Sequence, residues 1–182
     1  MTSEPSEDAL YRPCVGLAVF NRAGLVFLGR RERGPETGNT DFAWQLPQGG
    51  IDPGEEPRQA VMRELYEETS IRSASVIGEA DEWLRYDLPA RAARQSWKGR
   101  YKGQRQRWFA LRFEGEDSEI DVLHPGGGKH KPEFTEWRWE ELARIPELVI
   151  PFKREVYEAV VKAFKRFAGE AGLQPDNTST GR

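Results

Sequence analysis

The chain has 182 residues, of which 37% are hydrophobic and 31% charged, with a formal net charge of −3. This length suits one domain with its own core, and this composition excludes a disordered chain. No apolar stretch approaches the roughly 20 residues that a membrane-spanning helix needs, and the acidic segment 1–8 is unlike a signal peptide.

Cysteine and histidine are scarce. The single cysteine, Cys14, excludes an intrachain disulfide and is typical of a cytoplasmic protein, which is the location we expect. The two histidines, His124 and His130, are too few to favour a zinc site, so a metal would need oxygen ligands. We predict a flexible lead over residues 1–10, one folded domain over 11–170 and a disordered polar tail over 171–182.

Hydrophobic patterning predicts mostly strands, with two substantial helices. In chain order these are a strand over 14–20, a turn over 21–24, a strand over 25–29, a loop over 33–40, a strand over 43–47, a glycine turn over 48–54, a helix over 55–69, one or two strands over 73–88, a strand over 104–113, a glycine loop over 126–128, a strand over 134–139 and an amphipathic helix over 153–168. This order favours an α+β fold, or a mixed sheet between helices.

Residues 88–113 form a basic segment without a single acidic residue. It carries eight basic side chains interleaved with aromatic ones, among them Trp97, Tyr101 and Trp108. Such a mixture suits an anionic partner that contains bases. The alternative is a solvated, basic surface that balances acidic regions elsewhere.

Three glutamates share one side of the helix predicted over residues 55–69. Glu64, Glu67 and Glu68 fall within an arc of about 100°, because their spacing is i, i+3, i+4. Carboxylates this close repel one another unless a cation lies between them, and hard divalent cations prefer such oxygen clusters. The alternative is a charged helix face with local ion pairs, because Arg63 and Arg72 lie four residues from Glu67 and Glu68 respectively.

The segment that leads into this helix strengthens the metal interpretation. Residues 48–55 contain Gly49, Gly50 and Gly54, and a glycine turn lets a backbone carbonyl approach a cation closely. The N-terminus of the following helix favours phosphate oxygens. Together, these features predict a site for a metal and phosphate.

Residues 49–71 resemble the Nudix box, G-x5-E-x7-R-E-U-x-E-E-x-G-U, in which U is a bulky apolar residue. The matching positions are Gly49, Glu55, Arg63, Glu64, Leu65, Glu67, Glu68 and Ile71. Ser70 departs from the pattern, which has a glycine at this position to end the helix in a left-handed conformation. A serine in that conformation costs about 1 kcal/mol of backbone strain; the alternative is that the helix ends differently. Short segments across residues 11–167 also resemble one branch of that family, which contains RNA 5′-pyrophosphohydrolases and diadenosine tetraphosphate hydrolases.

The resemblance implies the Nudix fold, a mixed sheet sandwiched between α-helices with the box as loop-helix-loop. It also implies Mg²⁺ as cofactor, with Mn²⁺ able to substitute. The implied metal ligands are Gly49, through its carbonyl oxygen, and the carboxylates of Glu64, Glu67, Glu68 and Glu133. Glu64 would be the general base or a bridging carboxylate, and Arg63 would orient the glutamates.

Substrate contacts are implied as well. Arg12 and Arg31 would lie along the phosphates or the RNA chain, and Tyr86, Phe152 and Lys153 would line the base end of the pocket. For two implied residues a structural alternative stays open: Glu133 as a plain surface acid, and Phe152 as the start of the last helix.

The activity we expect is removal of pyrophosphate from 5′-triphosphorylated RNA by metal-activated water, which promotes RNA decay. The first alternative is hydrolysis of a dinucleoside polyphosphate such as diadenosine tetraphosphate. A catalytically silent domain that binds nucleotides or RNA is disfavoured, because all three helix glutamates are present. No membrane partner is expected.

Overall fold

Strand β1 (Tyr11–Phe20) occupies the middle of the sheet because it is apolar on both faces. From Cys14 to its end, every residue of β1 is buried. This is the pattern of a strand that is covered on both sides. The computed structural model describes residues 6–31 and 43–169.

The strands of the described chain form one mixed sheet. The strands after β1 are β2 (Val26–Arg31), β3 (Trp44–Gln45), β4 (Gln48–Gly50), β5 (Ala74–Glu79), β6 (Leu84–Asp87), β7 (Gly103–Phe113) and β8 (Phe134–Glu140). Strand β1 pairs in parallel with β7, whereas the other pairings are antiparallel, and the path through the sheet is β3-β2-β1-β7-β5. Off this path, β4 pairs with β1, β6 with β7 and β8 with β2.

Two long helices cover opposite faces of the sheet. The helices are α1 (Pro57–Thr69), α2 (Ala90–Gln95), α3 (Pro125–Gly128), α4 (Ile145–Leu148) and α5 (Arg154–Gly169). Helix α1 packs in one core cluster with Leu17 and Val19 of β1, and α5 packs in a second with Ala18 and Phe20. Alternate residues of β1 therefore belong to the two cores on opposite faces of the sheet. The predicted α+β sandwich is confirmed.

Several helices and strands begin or end at residues other than those predicted from the sequence. The predicted glycine turn over 48–54 is wrong at its start, because residues 48–50 form β4 and pair with β1. Helix α1 begins at Pro57 rather than at residue 55, since proline is favoured in the first turn. The segment predicted as one or two strands over 73–88 is two, β5 and β6.

Other predictions fall at the ends of the described ranges. Residues 7–10, expected to belong to a flexible lead, form a 3₁₀ turn. The expected start of that lead, the loop over 33–40 and the tail over 171–182 lie outside the described residues. None of the helices in the described ranges is both long and apolar enough to span a membrane.

Candidate active site

Helix α1 presents its apolar and acidic residues on adjoining faces. Ala60, Val61 and Leu65 are buried against the sheet. Glu68 is buried too, at 5% exposure, whereas Glu64 and Glu67 are half-buried at the rim. The three glutamates therefore share one side of the helix, as the sequence predicts, and this side lies at the edge of the core.

Ser70 ends helix α1 in the left-handed conformation, with φ of 66°. Its hydroxyl donates to the carbonyl oxygen of Asp121 over 3.0 Å and accepts from the amide of Gly126 over 2.9 Å. These hydrogen bonds explain why a serine is tolerated where the Nudix pattern has glycine, because they tie the helix end to the loop beside it.

The helix glutamates line a cavity of about 490 Å³ at the edge of the sheet. Strands β1, β2, β4 and β7 each contribute to its wall, as does the segment before β8. The lining residues are Arg12, Arg31, Gln45, Gln48, Gly49, Gly50, Glu64, Glu67, Glu68, Ser96, Trp97, Gln104, His130, Lys131 and Glu133. The residues predicted to bind metal and those predicted to bind phosphate thus line the same cavity, although they come from distant parts of the chain.

The glycines of β4 make room for two neighbouring side chains, those of Glu64 and Arg12. A methyl group built on Gly49 would overlap the carboxylate of Glu64. A methyl group on Gly50 would overlap the guanidinium of Arg12 in the same way. The paired glycines are therefore needed for this close approach of side chain to backbone, rather than for a turn.

Arg63 links the glycine strand to the acidic helix. Its guanidinium binds Glu55 through two hydrogen bonds of 2.8 Å and donates to Glu64 over 2.8 Å. It also donates to the carbonyl oxygen of Gly50 over 2.8 Å and to Glu67 over 3.4 Å. This arrangement supports the orienting role that the resemblance implies for Arg63.

The pKa values of the carboxyl groups at this site are shifted in different directions. Burial, together with the charges of Glu64 and Glu133, raises the pKa of Glu68 well above its usual value, although the amide of Gln48 donates to it over 3.2 Å. Burial also raises the pKa of Glu64, against the opposing effect of Arg63. The hydrogen bonds from Arg63 lower the pKa of Glu55 to about 2. Glu64 and Glu68 are therefore the carboxylates for which a nearby cation would offset the largest electrostatic cost.

The predicted ligands share the cavity without enclosing an ion in this arrangement. Across the described ranges, no group of three or more His, Cys, Asp or Glu side chains is gathered closely enough to hold a metal. Arg63 and the amide of Gln48 occupy carboxylate oxygens of Glu64, Glu67 and Glu68. Their convergence on a shared ion therefore stays a prediction.

The arginines predicted to contact phosphates both reach the cavity. Arg12 lies over Gly50, and Arg31 forms an ion pair with Glu133 at 3.5 Å. Lys131 adds a third positively charged side chain to the lining. The cavity therefore combines carboxylates with cations, as a site for both metal and phosphate requires.

The residues predicted for the base end of the pocket lie outside the cavity lining. Tyr86 and Phe152 pack with ring centroids 5.7 Å apart, and the ammonium of Lys153 lies 5.4 Å from the Tyr86 ring. Lys153 is 1% exposed and donates to Gln45 over 3.2 Å. Because Gln45 lines the cavity, this cluster lies behind the wall rather than in it. Its role in base binding stays a prediction.

Several cavity residues escaped sequence reasoning. Gln104 lines the cavity and accepts hydrogen bonds from the side-chain amides of Gln48 and Gln106. His130, for which no role is predicted from the sequence, also lines the cavity. Of the aromatic residues in the basic segment, Trp97 reaches the cavity, whereas Trp108 is fully buried in the core.

Residues 10–160 match the family model for the NUDIX domain. The chain belongs to the NUDIX family. An RNA pyrophosphohydrolase from Azorhizobium caulinodans is 64% identical over 162 residues, which cover 89% of this chain and 96% of that protein. One from a Bradyrhizobium species is 60% identical and covers 90% and 97%.

Solved structures with the NUDIX fold resemble this chain at low identity. The dihydroneopterin triphosphate pyrophosphohydrolase of E. coli superposes with a TM-score of 0.58 at 19% identity, covering 84% of this chain and 98% of the other. An Ap4A hydrolase from C. elegans gives 0.55 at 21% identity, covering 86% and 98%. At such identities these likenesses support the fold alone.

Proposed function

We propose that this NUDIX protein is an RNA 5′-pyrophosphohydrolase that converts a 5′-triphosphate end to a 5′-monophosphate. The observation that carries the proposal is the shared cavity, in which Glu64, Glu67 and Glu68 face Arg12 and Arg31. Relatives that are 57–64% identical over most of their length are named RNA pyrophosphohydrolases. The reaction adds water across the bond between the α- and β-phosphates and releases pyrophosphate.

The oxygen donors that line this cavity are of the chemical type that suits a divalent cation, Mg²⁺ or Mn²⁺. Glu64, Glu67, Glu68, Glu133 and the carbonyl oxygen of Gly49 would hold it, because hard cations prefer carboxylate and carbonyl oxygens. The buried carboxylate of Glu68, which lies near the like charges of Glu64 and Glu133, indicates the same need for positive charge. When bound, the ion supplies charge that neutralises phosphate oxygens and makes a water molecule more acidic.

The protein's own groups have separate tasks in this reaction. Glu64 accepts the proton of the attacking water, a role that suits a carboxyl group whose pKa is raised by burial. Arg63 holds Glu64 in place from the neighbouring position. Arg12 and Arg31 bind phosphate oxygens and orient the chain for in-line attack.

RNA is favoured over a dinucleotide by the distribution of positive charge. Helix α2 and the turn after it place Arg91, Arg94, Lys98 and Arg100 on an exposed surface, and the same turn contributes Trp97 to the cavity wall. Additional cations beside the site bind the additional phosphates of a polymer.

Product analysis on a 5′-triphosphorylated oligoribonucleotide tests the proposal. With Mg²⁺, the wild-type protein should yield equal amounts of pyrophosphate and 5′-monophosphorylated RNA, and chelation should stop the reaction. Glu64→Gln should lose most turnover, whereas Glu136→Gln, at an exposed acid paired with Arg30, should retain it. Near-normal kcat for Glu64→Gln at saturating Mg²⁺ would contradict the role of Glu64. A much higher kcat/KM on diadenosine tetraphosphate would make the dinucleotide the preferred substrate.

A further inference from the structure

Trp97 is an aromatic side chain in the wall of a cavity that is otherwise polar. It lies in the turn after α2, where it and Ser96 line the same space as the helix glutamates. The indole is half-buried, packs partly on the core and meets Tyr101 edge-on at a centroid distance of 6.1 Å. The ring is therefore fixed by its neighbours while part of it borders the cavity.

The backbone that carries Trp97 is held in an unfavourable conformation. Trp97 has φ of 48° and Lys98 has φ of 56°, so both occupy the left-handed region, and Gly99 follows with φ of 72°. Each of the first two positions costs about 1–2 kcal/mol. Such strain persists where the surrounding structure enforces it, and it is concentrated at functional sites.

Arg12 connects Trp97 to the reacting end of the cavity. Its guanidinium carbon lies 5.4 Å from the centroid of the Trp97 ring and its side chain crosses Gly50. Its positive charge also acts on Glu64. The order along the cavity is therefore carboxylates, arginine, indole, which matches the order of phosphates and base in a 5′-terminal nucleotide.

We propose that Trp97 is the stacking platform for the base of the first nucleotide of the RNA, while Arg12 binds the phosphates beside it. This inference rests on the proposed function and names the subsite for the 5′-terminal base. Stacking on an indole tolerates any base, because every base has a π-face. The subsite is separate from the cluster of Tyr86, Phe152 and Lys153, which lies behind Gln45.

The test compares two triphosphorylated oligoribonucleotides that differ in the presence or absence of the first base. On the normal RNA, Trp97→Ala should lower kcat/KM about 5- to 100-fold, mostly through KM, as the loss of one stacked base predicts. On the RNA with an abasic first nucleotide, wild type and Trp97→Ala should have the same kcat/KM. Trp97→Phe should retain most of the wild-type kcat/KM on the normal RNA, because phenylalanine keeps an aromatic face. Trp83→Ala, at an aromatic residue that is 38% exposed and outside the cavity lining, is the matched control and should behave as wild type.

The result that would overturn the inference is an equal loss on both RNAs. In that case Trp97 would only hold Arg12 or the turn in place. An unchanged kcat/KM for Trp97→Ala on the normal RNA would overturn it as well.

A binding measurement separates this inference from the proposed function. In Glu64→Gln protein, dissociation constants for the two RNAs with and without Trp97→Ala give the same comparison without turnover. If wild-type protein fails to hydrolyse the RNA, the proposed function fails, while these dissociation constants still decide whether Trp97 stacks on the base.

Discussion

The guanidinium of Arg63 lies 2.8 Å from a carboxylate oxygen of Glu64, its immediate neighbour on helix α1. Adjacent side chains on a helix point about 100° apart and do not normally meet. They meet here because Arg63 folds back to bind Glu55 and the carbonyl oxygen of Gly50. The carboxylate of Glu64 and the glycine strand are therefore held by one planar group.

Replacement of Arg63 by lysine should impair the site without removing its charge. A lysine ammonium cannot reproduce the forked contacts of the guanidinium, so Glu64 loses its fixed orientation. We expect kcat to fall about 10- to 100-fold and half-saturation to require more Mg²⁺. Steady-state rates over a Mg²⁺ titration measure both effects, with Arg30→Lys, at an exposed pair, as the control. An unchanged kcat and an unchanged Mg²⁺ requirement would show that Arg63 does not orient the site.

Glu68→Gln should stabilise the metal-free protein and weaken its stabilisation by Mg²⁺. The buried carboxylate of Glu68 costs free energy in the absence of a cation, because burial and like charges oppose its ionisation. Glutamine can still accept from the amide of Gln48, so metal-free protein should gain on the order of 1 kcal/mol in unfolding free energy. Thermal unfolding with and without Mg²⁺ should show that the ion stabilises wild type more than the variant. A variant that is destabilised without metal and equally stabilised by Mg²⁺ would exclude this account of Glu68.

Removal of the Ser70 hydroxyl should loosen the end of helix α1. Ser70→Ala keeps the left-handed strain but loses both hydrogen bonds to the adjacent loop, and we expect a loss of about 2 kcal/mol. Ser70→Gly also loses the bonds but relieves the strain, so its stability should fall between those of the alanine variant and wild type. Denaturant unfolding of the three proteins gives this order. An alanine variant as stable as wild type would show that the hydroxyl does not secure the helix end.

The sequence was a good guide to features that depend on local geometry. The grouping of Glu64, Glu67 and Glu68 follows from helical periodicity alone, and the helix confirms it. Alternation along a strand likewise places residues two apart on one face, and in β8 the rings of Trp137 and Trp139 pack with their centroids 5.7 Å apart.

Features that depend on distant pairing could not be predicted from the sequence. Gln104 reaches the cavity because β7 lies parallel to β1 in a register that places it beside Arg12. The pairing of β4 with β1 likewise turned a predicted glycine turn into a strand. Lys153 was expected in the pocket, and its burial depends on a contact with Gln45, which is 108 positions away in the chain. The left-handed conformation of Trp97 has no local signal, because tryptophan rarely adopts it.

Stability at acidic pH should depend on Glu119. Partial burial acts to raise the pKa of Glu119, but hydrogen bonds from the backbone amides of Arg72 and Ser73, at 2.6 and 2.8 Å, outweigh burial and lower it. A lowered folded-state pKa gives stability that is complete above the ordinary glutamate pKa and is lost as the pH falls through the lower folded value. Glu119→Gln should therefore cost about 1 kcal/mol near pH 7 and progressively less below pH ~4.

Denaturant unfolding across this pH range measures the effect of Glu119, and Glu116→Gln, at an exposed acid nearby, is the control. A difference between wild type and Glu119→Gln that stays constant from pH 7 to the acid limit would show that the carboxylate charge is not involved.

Direct binding of Mn²⁺, followed by electron paramagnetic resonance, tests the central claim that the carboxylates of this cavity hold a divalent cation. The expected result is that wild type binds Mn²⁺, that Glu67→Gln and Glu68→Gln each weaken Mn²⁺ binding at least about tenfold, and that Glu136→Gln leaves it unchanged. Absence of Mn²⁺ binding by wild type, or binding that is equally strong without Glu67 and Glu68, would contradict it.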